Sequence, residues 1–382
     1  MRRALLAVAA LLAALGVAVP ASGGDSTRVV AEPLRLDAAA FYLVGEDGAV
    51  LARQRARERR AMASITKLMT ALVTLERASL SDVVSVSPRA AAVDGSTAFL
   101  RAGEQLTVSQ LLRAMLVQSA NDAAEMLALH VGQGSTGRFV AAMNAKADAL
   151  GLADTHFVNP HGLDAPGHRS SARDSTELLR HALGVPFLRD ALARTTVVLP
   201  GGRRFPATND LLSTWPRLVA GKTGHTEDAG WSQAAAASAR GVTVYGTVLG
   251  SDSREERNTA LRTLLEYGLD RYRRVVAVEA GRVYATAETG YGRPAVEIVT
   301  PRTVVRTLRE GTTLLERMVV PEMVGLPVRK GARLGRLDVY AGSRLLASAD
   351  LVAASAVSEP GLLRKAAWYA ETTVENLWGL VT

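Results

Sequence analysis

Apolar positions along the chain fall at helical spacing in some stretches and at strand spacing in others, and the style of the pattern changes near residue 275. Behind Arg2-Arg3 lies an apolar run, Ala4–Val19, shorter than the ~20 residues of a membrane span. Val19-Pro20-Ala21 then supplies small residues, so residues 1–21 are expected to be a secretory leader cleaved after Ala21, which places the protein outside the cytoplasmic membrane. Ala40–Val44 and Ala49–Ala52 flank the turn Glu46-Asp47-Gly48 and predict a hairpin. Leu68, Leu72 and Leu75 predict a helix that begins at Ser64. Thr107-x-x-Gln110 is a capping box ahead of Leu111, Leu112, Met115 and Leu116, and Asp122-x-x-Glu125 reads as a second cap opening a helix that ends by Gly132. A further helix carries Phe139, Met143 and Leu150. Ser232–Ser238 and Val242–Leu249, parted by Arg240-Gly241, predict a second hairpin, and an arginine-rich helix over 254–272 follows with Leu261, Leu264, Leu265 and Leu269 on one face.

Beyond 275 the runs become short: Val275–Val278, Ala295–Val299, Leu314–Val320, Leu337–Tyr340 and Leu345–Val352, the last two joined by Ala341-Gly342-Ser343. They predict a small all-β module over 275–357 with no catalytic constellation of its own. Over 361–382 one helical stripe holds Leu363, Ala366, Ala367, Ala370, Val374, Leu377, Trp378 and Val381, and the aromatics Trp368, Tyr369 and Trp378 suit a membrane interface. Contact with the cytoplasmic membrane surface is the expectation; docking on the β module is the alternative. The overall reading is α+β: a mixed region over 36–274, the β module, and a terminal amphipathic helix over 358–382.

Composition narrows the classes of function. The 382 residues are 48% hydrophobic and 21% charged, ordinary for a globular protein and against dominant disorder. The net charge of +8, or +6 without Arg2 and Arg3, favours an anionic surface such as lipid headgroups or a wall polymer. Nucleic acid is set aside as a partner, because the arginines are scattered and aromatics make up only 5%. Cysteine is absent, which excludes disulfides, thiolate metal sites and lipidated cysteine. His156, His161 and His168 have no metal-ligand spacing, so no metal or organic cofactor is expected; His161, in the loop Asn159-Pro160-His161-Gly162-Leu163, reads as a turn-fixing residue.

The candidate chemistry rests on five lysines: Lys67, Lys146, Lys222, Lys330 and Lys365. Lys67 alone has a serine three residues before it, and Ser64 and Lys67 would share a helix face. A serine hydroxyl becomes a nucleophile when a base takes its proton, and a lysine serves as that base once burial or a second cation lowers its pKa. Lys222 opens the only K-T-G, Lys222-Thr223-Gly224, beside the second hairpin, where Gly224 would let a ligand approach the backbone. Between them Ser119-Ala120-Asn121 is the only S-x-N, in a tight connection between helices. Each motif alone is commonplace. The order S-x-x-K, S-x-N, K-T-G is the set of the serine penicillin-binding proteins and β-lactamases.

With A-S-I-T-K-L-M-T at 63–70, S-A-N-D-A-A at 119–124, F-V-N-P-H-G-L at 157–163, G-K-T-G-H-T at 221–226 and L-P-V-R-K-G at 326–331, the chain resembles the low-molecular-mass penicillin-binding proteins that act as D-alanyl-D-alanine carboxypeptidases, peptidase family S11. The likeness runs over about 36–382; Ala120 stands where the family has glycine. The resemblance implies a serine β-lactamase/D,D-peptidase-like fold, an antiparallel sheet flanked by helices with a helical lobe. It implies Ser64 as nucleophile, Lys67 as base and Ser119 as proton relay. Asn121, Lys222, Thr223, Gly224 and His225 would bind substrate, with the N–H groups of Ser64 and His225 as oxyanion hole. The implied substrate is a peptidoglycan stem peptide ending in D-Ala-D-Ala, with β-lactams as covalent inhibitors. Two rivals remain: a class A-like β-lactamase, whose E-x-x-L-N glutamate setting is not found here, and a non-catalytic wall-binding scaffold, against which intact Ser64, Lys67 and Lys222 speak.

Overall fold

The computed structural model describes residues 34–378, with side chains through Val374. The predicted leader and Val381 lie outside the described residues. One antiparallel sheet holds five strands in the order Val50–Gln54, Ala40–Gly45, Val242–Ser251, Gly230–Ala239, Leu218–Thr226. Both predicted hairpins are present. The strand 242–251 inserts beside 40–45, nearly two hundred residues earlier, so the sheet closes by a long-range pairing. Ala234 to Ala237 are each 0% exposed, because this strand is covered on both faces and so reads as a continuous small-residue run. A Cβ built on Gly246 would sit 3.2 Å from Leu264 and Leu265 of the helix Arg254–Leu269, whereas the next residue, Thr247, meets the hydroxyl of Thr176 in the helix Ala172–Gly184 at 2.7 Å. Neighbouring strand residues face opposite sides, so one helix covers each face.

The helical lobe packs Val108–Val117, Asn121–Val131 and Thr136–Ala149 around Lys67–Arg77, whose first eight residues are all buried. The capping box at Thr107 forms as predicted: its Oγ1 accepts from Gln110 N at 3.2 Å, and Gln110 Oε1 accepts from Thr107 N at 2.8 Å. The second predicted cap does not form. The helix opens at Asn121 behind Ala120, with no side-chain cap, and the buried Asp122 carboxylate accepts the N–H groups of Ala98 (3.1 Å) and Leu100 (3.0 Å) instead. Those amides would otherwise be orphaned beneath the loop, which is the larger penalty.

After Leu269 the chain turns all-β. A six-stranded sheet runs Leu314–Val319, Arg333–Ala341, Arg344–Ala353, Val296–Val299, Val283–Thr289, Met323–Val324, and Tyr272–Val278 pairs with Val304–Arg309. Ile298, Leu337, Val339 and Leu351, each 0% exposed, form a core distinct from that of the preceding region. The strands 283–289 and 304–309 escape the pattern because half their residues are polar. The last helix, Leu362–Trp378, sets Trp368 edge-on against Tyr291 at 5.3 Å while Leu362 and Leu363 stay 85% and 90% exposed. The docked face is therefore the aromatic one, and the leucines remain outside. Among the described residues no helix is long and apolar enough to cross a membrane.

Candidate active site

Ser64 does not lie in the α-helix itself. It sits in a 3-10 turn, Ala63–Thr66, and the α-helix starts at Lys67. The tighter turn eclipses residues three apart, so the hydroxyl and amine still face each other, with Ser64 Oγ and Lys67 Nζ 2.7 Å apart. Ala63, just before the serine, holds φ +47°, a left-handed conformation that costs ~1–3 kcal/mol.

Lys67 is 0% exposed and its Nζ also reaches Asn121 Oδ1 and the His161 carbonyl, each at 2.7 Å. Asn121 is oriented by its Nδ2, which donates to Asp94 O at 2.7 Å, so its oxygen faces the lysine. Both of these partners only accept. A neutral Lys67 gives them its two N–H groups and keeps its lone pair for the Ser64 hydroxyl. Neutrality is favoured: burial foremost, then the Lys222 charge, pushes the Lys67 pKa well below the ordinary lysine value.

Ser119 holds φ +67° at the helix junction and accepts from Lys222 Nζ at 2.9 Å; Lys222 also donates to Thr223 O at 2.9 Å. Lys222 is pushed down to about 7, by burial first and then by Arg257. The Thr223 and Thr208 hydroxyls meet at 2.7 Å. A Cβ on Gly224 would stand 2.8 Å from Met62 O and 3.1 Å from Ser64 N, so it is the protein's own serine turn that approaches this strand. The strand lies at the sheet's edge, which leaves its outer side free beside that turn. The His225 ring is exposed and stacks on Trp231 with centroids 4.1 Å apart. Ser64, Ser119, Thr223, Gly224 and His225 line one cavity of about 440 Å³, and Lys67, Asn121 and Lys222 bond directly to its serines or to each other's partners.

Several contributors escaped the sequence reading. His161 matters through its carbonyl, which carries no side-chain signal. Its ring Nδ1 accepts from Leu163 N at 3.3 Å, and burial followed by the Lys67 charge pushes its pKa down to about 3, so the imidazole stays neutral. Gly162 (φ +92°) lets the same loop pass against the serine turn, where a Cβ would fall 2.0 Å from Ala63 O. Arg257, 1% exposed, lines the cavity and lies 5.6 Å from the Trp231 ring centroid. Its signal was available: it precedes Leu261 by one helical turn and so stands in the apolar stripe, where an arginine is out of place. Among the described residues no carboxylate lines the cavity, and no group of three or more His, Asp or Glu is placed to hold a metal ion.

Comparison with known proteins now decides the affiliation. The sequence pattern of the peptidase S11 family, described as D-alanyl-D-alanine carboxypeptidase, matches residues 27–253. The chain belongs to this family. Among S11 relatives, D-alanyl-D-alanine carboxypeptidase DacF of Bacillus subtilis is 29% identical over 342 residues, spanning 85% of this chain and 86% of that protein. DacA of Escherichia coli is 33% identical over 276 residues, 68% of this chain and 67% of that protein. The crystal structure of penicillin binding protein 5 from Haemophilus influenzae superposes with a TM-score of 0.62 at 26% identity, covering 86% of this chain and 99% of that one. The structural likeness covers 86% of the chain and so reaches beyond residues 27–253, the part matched by the family pattern.

Proposed function

We propose that this protein is a serine-type D-Ala-D-Ala carboxypeptidase that removes the terminal D-alanine of peptidoglycan stem pentapeptides through an acyl-enzyme on Ser64. The observation that carries the reading is the Ser64 hydroxyl 2.7 Å from a buried lysine whose other two bonds go to acceptors. Ser64 Oγ attacks the carbonyl of the penultimate D-alanine as its proton passes to Lys67 Nζ. The backbone N–H groups of Ser64 and His225 take the charge on the carbonyl oxygen. The C–N bond breaks when the leaving D-alanine nitrogen gains a proton from Ser119, which Lys222 holds as an acceptor so that its own proton is free to leave. The proton Lys67 took from Ser64 refills Ser119 and leaves the lysine neutral; water then attacks the acyl carbon as Lys67 takes one of its protons, and that proton passes to Ser64 Oγ as the ester C–O bond breaks, releasing the acid and restoring Ser64. Lys222, Thr223 and Arg257 hold the substrate's terminal carboxylate, and Asn121 fixes both substrate and Lys67.

The division into a catalytic part over 36–274, a β-rich part over 275–357 and a tail over 358–382 belongs to the same proposal. So does export by residues 1–21 to the extracytoplasmic face, with the tail resting on the cytoplasmic membrane. The exposed Leu362 and Leu363 support the last point.

Labelled penicillin is expected to mark Ser64 in the wild type and to leave Ser64→Ala unlabelled; equal labelling of the variant would remove Ser64 from its role. A β-lactamase would instead turn the penicillin over rapidly. The absence of a carboxylate from the cavity lining among the described residues favours a long-lived adduct.

A further inference from the structure

Arg257 is almost wholly buried, yet among the described residues its guanidinium forms no ion pair. Nε and Nη2 both donate to Asn258 Oδ1, at 3.2 and 2.6 Å. The other end of the same amide, Nδ2, donates to Asp210 Oδ2 at 3.2 Å, and Asp210 Oδ1 is taken by Arg254. One neutral side chain thus stands between a buried cation and the nearby carboxylate. The amide orientation is fixed by its partners, oxygen to the guanidinium and nitrogen to the carboxylate. The indole of Trp231 closes the other side at 5.6 Å.

We propose that Asn258 is a positioning residue for carboxylate recognition: it fixes the Arg257 guanidinium toward the cavity while keeping Asp210 from neutralising it. A buried guanidinium that paired with Asp210 would already have its counter-ion, and a substrate carboxylate would have to displace it. An amide supplies the orienting hydrogen bonds without the charge, so the positive site stays open for the anionic end of the ligand. Burial lowers the Arg257 pKa only to about 10, which leaves it charged at neutral pH and consistent with that use. The inference rests on the Ser64 reading and goes beyond it by assigning selectivity for a free terminal carboxylate to a residue that does not touch substrate.

The test compares acylation rates of the full-length protein by a penicillin bearing its free carboxylate and by the methyl ester of the same penicillin. In Asn258→Asp the acid-to-ester ratio is expected to fall about tenfold, with the ester rate close to wild type. An unchanged ratio, or acid and ester rates falling together, would overturn the inference and leave a merely structural residue. Should Asn258→Asp fail to fold, Asn258→Ala decides by the same ratio, which is expected to fall several-fold because the guanidinium loses its orienting acceptor. Wild-type protein acylated by neither compound would overturn the Ser64 reading and this inference with it; acylation with an unaltered ratio in the variants would overturn this inference alone.

Discussion

At the scale of residues, the proposed chemistry rests on two buried lysines that, among the described residues, form no ion pair with a carboxylate. Ser64, Lys67 and Lys222 were legible because each stands in a motif that occurs once, in a chain with five lysines. The His161 carbonyl and Arg257 were not read, the first because a backbone oxygen has no sequence identity, the second because arginines are plentiful here. The charges give signed expectations. Lys67 accepts a proton only when neutral, so kcat/KM rises as pH climbs through its lowered pKa. It falls again near pH 7 as Lys222, with a pKa of about 7, loses the charge proposed to bind the substrate carboxylate. Lys222→Met removes a like charge from beside Lys67, so the Lys67 pKa rises and the ascending limb moves to higher pH. The same replacement relieves a buried cation. In the native protein Lys222 binds fewer protons than in the unfolded chain between about pH 7 and 10.5, so its destabilising effect is complete below pH 7 and fades as pH rises toward 10.5. Lys222→Met is therefore expected to gain roughly 1 kcal/mol at neutral pH, about 2 °C in Tm, while losing activity. A lower Tm in calorimetry, or an unmoved pH limb, would contradict this.

At the scale of elements, strong local signals survived and weak ones gave way to tertiary contacts. The Thr107 capping box formed because both of its partners are local. The cap expected at Asp122 gave way because the loop at 98–100 offered that carboxylate two buried amides. The start of the Ser64 helix shifted by a turn because the segment is pinned from two sides, by the Gly162 loop and by the Gly224 strand. Neither neighbour is visible in the sequence around Ser64. Gly162→Ala tests that pinning: a Cβ there meets Ala63 O and must also adopt φ +92°. The expected cost is about 1–3 kcal/mol in stability and roughly a hundredfold in kcat, from displacement of Ser64. Urea unfolding and steady-state kinetics would measure both, and wild-type values in each would contradict the pinning.

At the scale of the whole molecule, the α+β class and the β-rich region were readable from periodicity, but the sheet order was not. Pairing of 40–45 with 242–251 depends on partners two hundred residues apart, and 304–309 pairs with 272–278 across an intervening hairpin. The last helix shows the same limit. Its stripe predicted a membrane face, and the structure keeps Leu362 and Leu363 exposed while Trp368 and Tyr369 rest against Tyr291. Deleting residues 361–382 is expected to free the protein from anionic vesicles in a sedimentation assay with activity retained; continued pelleting of the truncated protein would show that the tail is not the anchor. The account as a whole requires the Ser64 cavity to cleave a D-Ala-D-Ala bond. Purified protein incubated with a pentapeptide ending in D-Ala-D-Ala should release free D-alanine, and Ser64→Ala should release none. Absence of D-alanine from the wild type, or equal release by the variant, would contradict it.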